Sequence, residues 1–169
     1  MTVRSNSGTA LPLLHVDDNP NERLFVRQAI LLTKTPFAYY EADSLESAIT
    51  QFESHRGSPT QHRPELVLLD YDLGDHTGAD FLYWLRLTKR LNSTPVVMLS
   101  GSVGKPHIGE CYASGANYFL RKPKTLARLK IIIRALHAGI IAGQRPDPIC
   151  SLLEFLPDPK KHLIGAHAC

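Results

Sequence analysis

Cysteine is scarce in this chain, and the three residues present, Cys111, Cys150 and Cys169, show no paired spacing. That excludes a disulfide scaffold and suits a reducing compartment. Basic charge does not accumulate anywhere. Nineteen Lys and Arg face sixteen Asp and Glu, for a net charge of +3, and the only basic groupings are Lys160-Lys161 and Arg121, Lys122 and Lys124. Neither is the long basic stripe of a nucleic-acid binder, so no direct nucleic-acid binding is expected. A membrane segment is missing too. The apolar run "LPLLHV" (11–16) is too short for a span, and no clear small-residue cleavage site accompanies it. Near the C-terminus "HLIGAHAC" holds His162, His167 and Cys169, but in a spacing that matches no standard zinc signature. The expectation is a soluble cytoplasmic protein without membrane contact. At 169 residues, with 43% hydrophobic and 21% charged, the length suits one domain and perhaps a tail.

What is present is a repeat of short apolar runs and amphipathic stretches. "LPLLHV" reads as a buried strand. A helix follows from Pro20, with Asn19 as cap, Glu22 in the first turn, and Leu24, Phe25, Gln28, Leu31 and Leu32 at helical spacing. "PFAYYEA" (36–42) is a second strand. The next helix has Ser44 as cap and Leu45, Ala48, Ile49 and Phe52 as its stripe. "RGSPTQHRP" (56–64) is a loop. "ELVLLD" is a third strand, apolar on both faces as in a covered parallel sheet. "GADFLYWLRLTKR" gives a helix with Phe81, Leu82, Leu85 and Trp84 inward or at its edge. "PVVMLSG" (95–101), a short helix in "KPHIGECYASG", "NYFLRKP" and "TLARLKIIIRALHAGI" complete the series. Five strand–helix units predict a doubly wound (βα)5 sandwich with a five-stranded parallel sheet in order 2-1-3-4-5 and a C-terminal extension. The expected division is a flexible N-terminus (1–10), a domain over 11–143, and a tail (144–169) too short for a conventional output domain.

In such sheets a site forms beyond the carboxyl ends of the strands. Here the first strand ends at Asp17-Asp18, the third at Asp70, the fourth at Ser100-Gly101 and the fifth at Lys122-Pro123. Three carboxylates, a hydroxyl and an ammonium therefore converge on one edge. The carboxylates are hard oxygen donors suited to Mg²⁺, which offsets their repulsion. Asp70 is then placed to attack phosphorus as a carboxylate nucleophile. The ion and Lys122 would neutralise the phosphoryl oxygens, Ser100 would donate to another, and the small Gly101 leaves room.

These residues resemble the receiver domain of two-component response regulators, through "LLHVDDNP", "LVLLDYDLGDHTG", "VVMLSG" and "NYFLRKP" in the family's order, over about Leu11 to Gly143. The resemblance implies that Asp70 is the phosphoacceptor. It implies that Asp18 and Asp70 bind Mg²⁺ (or Mn²⁺) directly, with Asp17 nearby and the Asp72 backbone carbonyl as a further ligand. Lys122 would contact the phosphoryl group or Asp70, Ser100 would be the switch hydroxyl, and Phe119 would stand at the switch aromatic. Lys122-Pro123 falls where the family carries a cis peptide. The implied function is a stand-alone, phosphorylation-dependent switch. It would be loaded by a sensor histidine kinase or a histidine phosphotransfer protein and would act on a downstream protein by contact. It would catalyse only its own phosphoryl transfer and autodephosphorylation.

The sequence departs from the family pattern in places. Gly74 replaces a frequent proline, which points to a more mobile loop after Asp70. Asp72 and Ser102 occupy positions that tune autodephosphorylation in the family, and Phe119 lacks the hydroxyl of the commoner tyrosine. Two other readings compete. A haloacid-dehalogenase-like phosphatase would also use an Asp-x-Asp strand end with Asp70 as nucleophile, but its acidic pair comes last in the chain rather than first. A receiver-shaped scaffold that is never phosphorylated would not need the intact acidic set. Of the histidines, His15 reads as a packed core residue and His76 as a solvated loop residue able to sense pH. The last helix carries a stripe of Leu126, Leu129, Ile133, Leu136 and Ile140, widened by Ile131, Ile132 and Ala135. That surplus suggests that the tail, with Leu152, Leu153, Phe155 and Leu156, folds back on the helix, or that a homodimer forms through the helix or the tail.

Overall fold

The central strands carry apolar side chains on both faces, so they are stable only inside a sheet covered on both sides. The computed structural model, which describes residues 10–54, 63–88, 93–101 and 105–141, has this arrangement. The elements run β1 (Leu11–Val16), α1 (Pro20–Thr33), β2 (Phe37–Ala42), α2 (Leu45–Ser54), β3 (Leu66–Asp70), β4 (Asp72–Leu73), β5 (His76–Thr77), α3 (Gly78–Leu87), β6 (Val96–Ser100), α4 (Lys105–Ala113), β7 (Tyr118–Arg121) and α5 (Leu126–Ile141). The main sheet has order β2-β1-β3-β6-β7, all parallel, which is the expected 2-1-3-4-5 order of the five large strands. The readings for Ser102, Cys150, His162, His167, Cys169, the N-terminal residues and the tail lie outside the described residues, as does most of the 56–64 loop.

Alternate side chains of each strand feed two cores. Leu14, Val16, Val67, Leu69, Val96, Met98 and Phe119 pack with Ala48 and Phe52 of α2, Phe81, Leu82 and Leu85 of α3, and Ile108 and Cys111 of α4. Leu11, Leu13, Leu66, Leu68, Val97, Leu99 and Leu120 pack with Val26, Ala29 and Ile30 of α1 and with Leu129, Ile132, Ile133 and Leu136 of α5. Both helix starts read from the sequence are built as expected. Asn19 accepts from the Asn21 N–H at 2.9 Å ahead of Pro20, and Ser44 Oγ accepts from the Ser47 N–H at 3.1 Å. The α3 side chains Phe81, Leu82 and Leu85 are buried, with Trp84 at the edge. No helix among the described residues is long and apolar enough to cross a membrane.

The buried face of α1 differs from the expected one. Val26, Ala29 and Ile30 face the sheet, while Leu24, Leu31 and Leu32 are 47%, 69% and 57% exposed. Val26, Ala29 and Ile30 form a stripe of their own at helical spacing, flanked by two arginines that bond outside it. Arg23 donates to the Asp17 carbonyl at 2.6 Å, and Arg27 reaches Glu41 of β2 at 2.6 Å. On α5, Ile132 joins the buried stripe and Leu126, Ala135 and Ile140 lie at its margin, while Ile131 is 49% exposed and Ile141, at the helix end, 64%. The Lys122–Pro123 peptide is trans, contrary to the family-based expectation; trans is the commoner form of an X–Pro bond. The loop after Asp70 is an ordered hairpin, β4 paired with β5, whose turn has Gly74 at φ +70°. Glycine reaches that conformation without Cβ strain.

Arg86 closes the α3 end of the domain. Its guanidinium donates to the Gly115 carbonyl at 2.8 and 3.0 Å, to the Thr94 carbonyl at 2.9 Å and to Asn117 Oδ1 at 3.2 Å. It thereby ties α3 to the loops before β6 and β7. Replacing Arg86 with Leu keeps the stem packing and removes these bonds. The expected loss is about 2–3 kcal/mol, read as a lower urea midpoint; an unchanged midpoint contradicts this assignment.

Candidate functional site

The register of the parallel sheet lines up the strand ends. Val16 pairs with Leu69, Asp70 with Leu99, and Ser100 with Arg121. One step further along β1 lies Asp17, level with Asp70, and one step past β7 lies Lys122, whose N–H donates to the Ser100 carbonyl at 2.9 Å. Residues more than a hundred positions apart thus meet at one edge.

Asp17, Asp18 and Asp70 each bring a carboxylate oxygen within 4.8 Å of the others, with Asp17 and Asp70 buried and Asp18 exposed. Like charges this close raise one another's energy unless a cation sits among them. Lys122 supplies one, its Nζ lying 2.7 Å from both Asp17 Oδ2 and Asp70 Oδ2. The remaining oxygens are held by backbone donors. Asp17 Oδ1 accepts the Asn19 N–H at 2.9 Å, and Asp70 Oδ1 accepts the Tyr71 N–H at 2.8 Å. Burial pushes the Asp70 carboxyl up to about 6, although the Lys122 hydrogen bond pulls it down. For Lys122, burial disfavours the charge, but hydrogen bonds to Asp17 and Asp70 outweigh it and hold the ammonium above its ordinary range. An all-oxygen donor set of this kind fits a hard divalent ion rather than a thiolate- or imidazole-seeking one.

The other expected site residues are placed as follows. Ser100 is buried at the end of β6, beside the exposed and open Gly101. Phe119 is fully buried among the α2–α4 core residues and is not gathered to the acidic cluster. Asp72 pairs with Thr77 in the hairpin, its side chain exposed. His76 lies on the surface with Nε2 3.2 Å from Glu46, a solvated pair. His15 is buried as expected, but it is not merely packed, for its Nε2 lies 3.7 Å from Asp17 Oδ2.

Two residues escaped the sequence reading. A Cβ on Gly78 would overlap the Asp70 carbonyl oxygen and approach Met98, so only glycine lets α3 start against the end of β3. The Gly78 N–H donates to the Tyr71 carbonyl at 2.7 Å. The signal was the adjacent T-x-x-D of Thr77 and Asp80, which forms a capping box. The second is Tyr71, directly after Asp70, whose hydroxyl donates to Glu110 of α4 at 2.7 Å. No sequence pattern marks that pair.

Residues 13–134 match the model of the response regulator receiver domain. The chain belongs to this family. It is 26% identical to the two-component response regulator ARR15 of Arabidopsis thaliana over 140 residues, covering 82% of this chain and 68% of that protein. It is 25% identical to the KDP operon transcriptional regulatory protein KdpE of Escherichia coli, covering 86% of this chain and 60% of that protein. Among solved structures, the fold is shared with the phosphorylated cyanobacterial phytochrome response regulator RcpA, at TM-score 0.69 and 21% identity over 80% of this chain and 96% of that one. It is also shared with the Mn²⁺-bound form of Rcp1, at TM-score 0.65 and 20% identity over 78% of this chain and 94% of that one. The protein is therefore a receiver of two-component signalling, and the phosphatase and scaffold readings are not favoured. Receiver domains are not enzymes in the usual sense, and they work with histidine kinases or phosphotransfer proteins.

The raised Asp70 carboxyl has a consequence for stability. Because the folded chain favours the protonated form, the contribution is full below about pH 4 and is lost as pH rises through 6. At neutral pH the ionised side chain opposes folding. Asp70→Asn in EDTA should raise stability by about 1–2 kcal/mol at neutral pH and give no gain at pH 4. Thermal melts at the two pH values check this; equal shifts would contradict it.

Proposed function

We propose that Asp70 is the phosphoacceptor of this receiver and that the donor is a phosphohistidine on a sensor histidine kinase or a histidine phosphotransfer protein. The observation that carries the reading is the Lys122 ammonium held 2.7 Å from two carboxylates of separate strands. Asp18 and Asp70, with Asp17 close by and the Asp72 carbonyl as a further ligand, would hold Mg²⁺ or Mn²⁺; the Mn²⁺ in the Rcp1 structure supports this choice. When bound, the ion supplies positive charge that offsets the carboxylates and the phosphoryl oxygens.

The chain's own groups do the rest. An oxygen of the Asp70 carboxylate forms the new O–P bond as the donor's N–P bond breaks, and that electron pair returns to the donor imidazole. The Tyr71 N–H keeps the Asp70 side chain oriented from its other oxygen. Lys122 moves from Asp17 and Asp70 to a phosphoryl oxygen, and Ser100 donates to another. Drawing Ser100 toward the phosphate alters the end of β6, and Phe119 repacks beside it on β7. That shifts a two-state equilibrium on the α4–β7–α5 side. Asp72 and Ser102 tune the return by autodephosphorylation. The output is contact with a downstream protein, in the cytoplasm, from a domain spanning 11–143.

Exposed Ile131 and Ile141 on α5 support an apolar partner there, either the 144–169 segment or a second copy. Deleting 144–169 should lower the melting temperature or change the sedimenting mass, and no change in either removes the idea. For the central claim, incubation with acetyl phosphate and Mg²⁺ should add one phosphoryl group by intact mass. The adduct should vanish in Asp70→Asn and in EDTA. Persistence of the adduct in Asp70→Asn would overturn the assignment, and turnover of many phosphomonoesters would favour a hydrolase.

A further inference from the structure

One buried polar atom near the site has no partner. His15 is fully buried on β1, two residues before Asp17 and on the same side of the strand. Its Nδ1 lies 2.9 Å from the Tyr39 hydroxyl of β2. Its Nε2 is, among the described residues, the single buried side-chain nitrogen or oxygen without a hydrogen-bond partner. That atom points at Asp17 Oδ2, 3.7 Å away, the same oxygen that receives Lys122. Leaving a buried polar atom unpaired is costly, so its aim calls for an explanation.

The partners settle the tautomer. A bare Nε2 lone pair would face the lone pairs of a carboxylate, which is repulsive. If the Tyr39 O–H donates to Nδ1, the proton lies on Nε2 and faces the carboxylate as a donor. Tyr39 has two further acceptors in reach, the Arg23 carbonyl at 3.2 Å and the Glu41 carboxylate, and it is the Asp17 carboxylate facing Nε2 that favours the Nε2–H form. His15 is thus a preset donor standing behind an acidic pocket.

We propose that His15 is a positioning residue for the cation and phosphoryl site: its Nε2–H, set by Tyr39, takes over Asp17 Oδ2 when Lys122 leaves it for a phosphoryl oxygen. This rests on the reading of Asp17, Asp18 and Asp70 as a divalent-ion site. Before phosphorylation, Lys122 satisfies that oxygen and the imidazole is held off at 3.7 Å. Once the ammonium departs, Asp17 would have a buried oxygen with no donor. A shift of under an ångström brings Nε2–H into hydrogen-bond range. The carboxylate then keeps the orientation that the ion needs, as outer partners do for metal ligands generally.

The test uses MgCl₂ and beryllofluoride as probes on the full chain, with calorimetric affinities and melting temperatures in EDTA. His15→Leu should weaken beryllofluoride binding in Mg²⁺ roughly tenfold, more than it weakens Mg²⁺ alone, with no drop in melting temperature. His15→Gln, whose amide can donate from a similar place, should recover most of the affinity. Tyr39→Phe, which releases the tautomer, should lie between Leu and wild type, and it decides the matter if His15→Leu fails to fold. Wild-type affinities in His15→Leu, or an equal loss in His15→Gln and His15→Leu, would overturn the proposal. If the wild type takes up no Mg²⁺, the reading of the acidic cluster itself fails and this inference falls with it.

Discussion

A single ammonium between two carboxylates organises this molecule. Lys122 joins Asp17 at the end of β1 to Asp70 at the end of β3, and the sheet register that brings them level is also what orders the strands. The pairing is balanced rather than saturated. Burial still drives the Asp70 carboxyl up to about 6 with the lysine in place, so the cluster holds unspent attraction for positive charge. At this edge the burial of the Asp70 carboxylate outweighs the attraction of the lysine beside it.

The surroundings keep that balance. Backbone N–H groups of Asn19 and Tyr71 fix the outer oxygens of the two aspartates. The Asn19 turn also starts α1, and Tyr71 precedes the hairpin that delivers Gly78 against the Asp70 carbonyl. Local structure and site geometry are therefore one construction: changing either turn moves an aspartate of the cluster. The link from Tyr71 to Glu110 carries the same rigidity outward to α4.

Much of this was legible in the sequence because parallel strands buried on both faces appear as unbroken apolar runs. Where such a run stops at Asp17, Asp70, Ser100 or Lys122, the stopping residue is conspicuous. Helix faces were harder. On α1 the bulkier Leu24, Leu31 and Leu32 suggested the inner side, yet Val26, Ala29 and Ile30 occupy it. Periodicity fits both sets, because each is apolar at helical spacing, and only tertiary packing chooses between two faces. The hairpin at 72–77 was invisible because strands of two residues have no period. The peptide before Pro123 was misjudged because analogy, not local chemistry, suggested its isomer. His15 was rightly placed in the core, but burial alone did not reveal which way its ring pointed.

The second core has a further consequence. It joins Val26, Ala29 and Ile30, near the start of the chain, to Leu129, Ile132, Ile133 and Leu136, near the end of the domain. α1 covers part of this face early, but the rest stays open until the last helix has been synthesised. During translation, that part of the sheet waits for a segment more than a hundred residues downstream of β1. Closing so long a loop is entropically slow, and it makes assembly of this half a late, all-or-nothing event. Newly made chains stopped short of α5 would expose a sticky apolar sheet, the kind of surface that chaperones recognise.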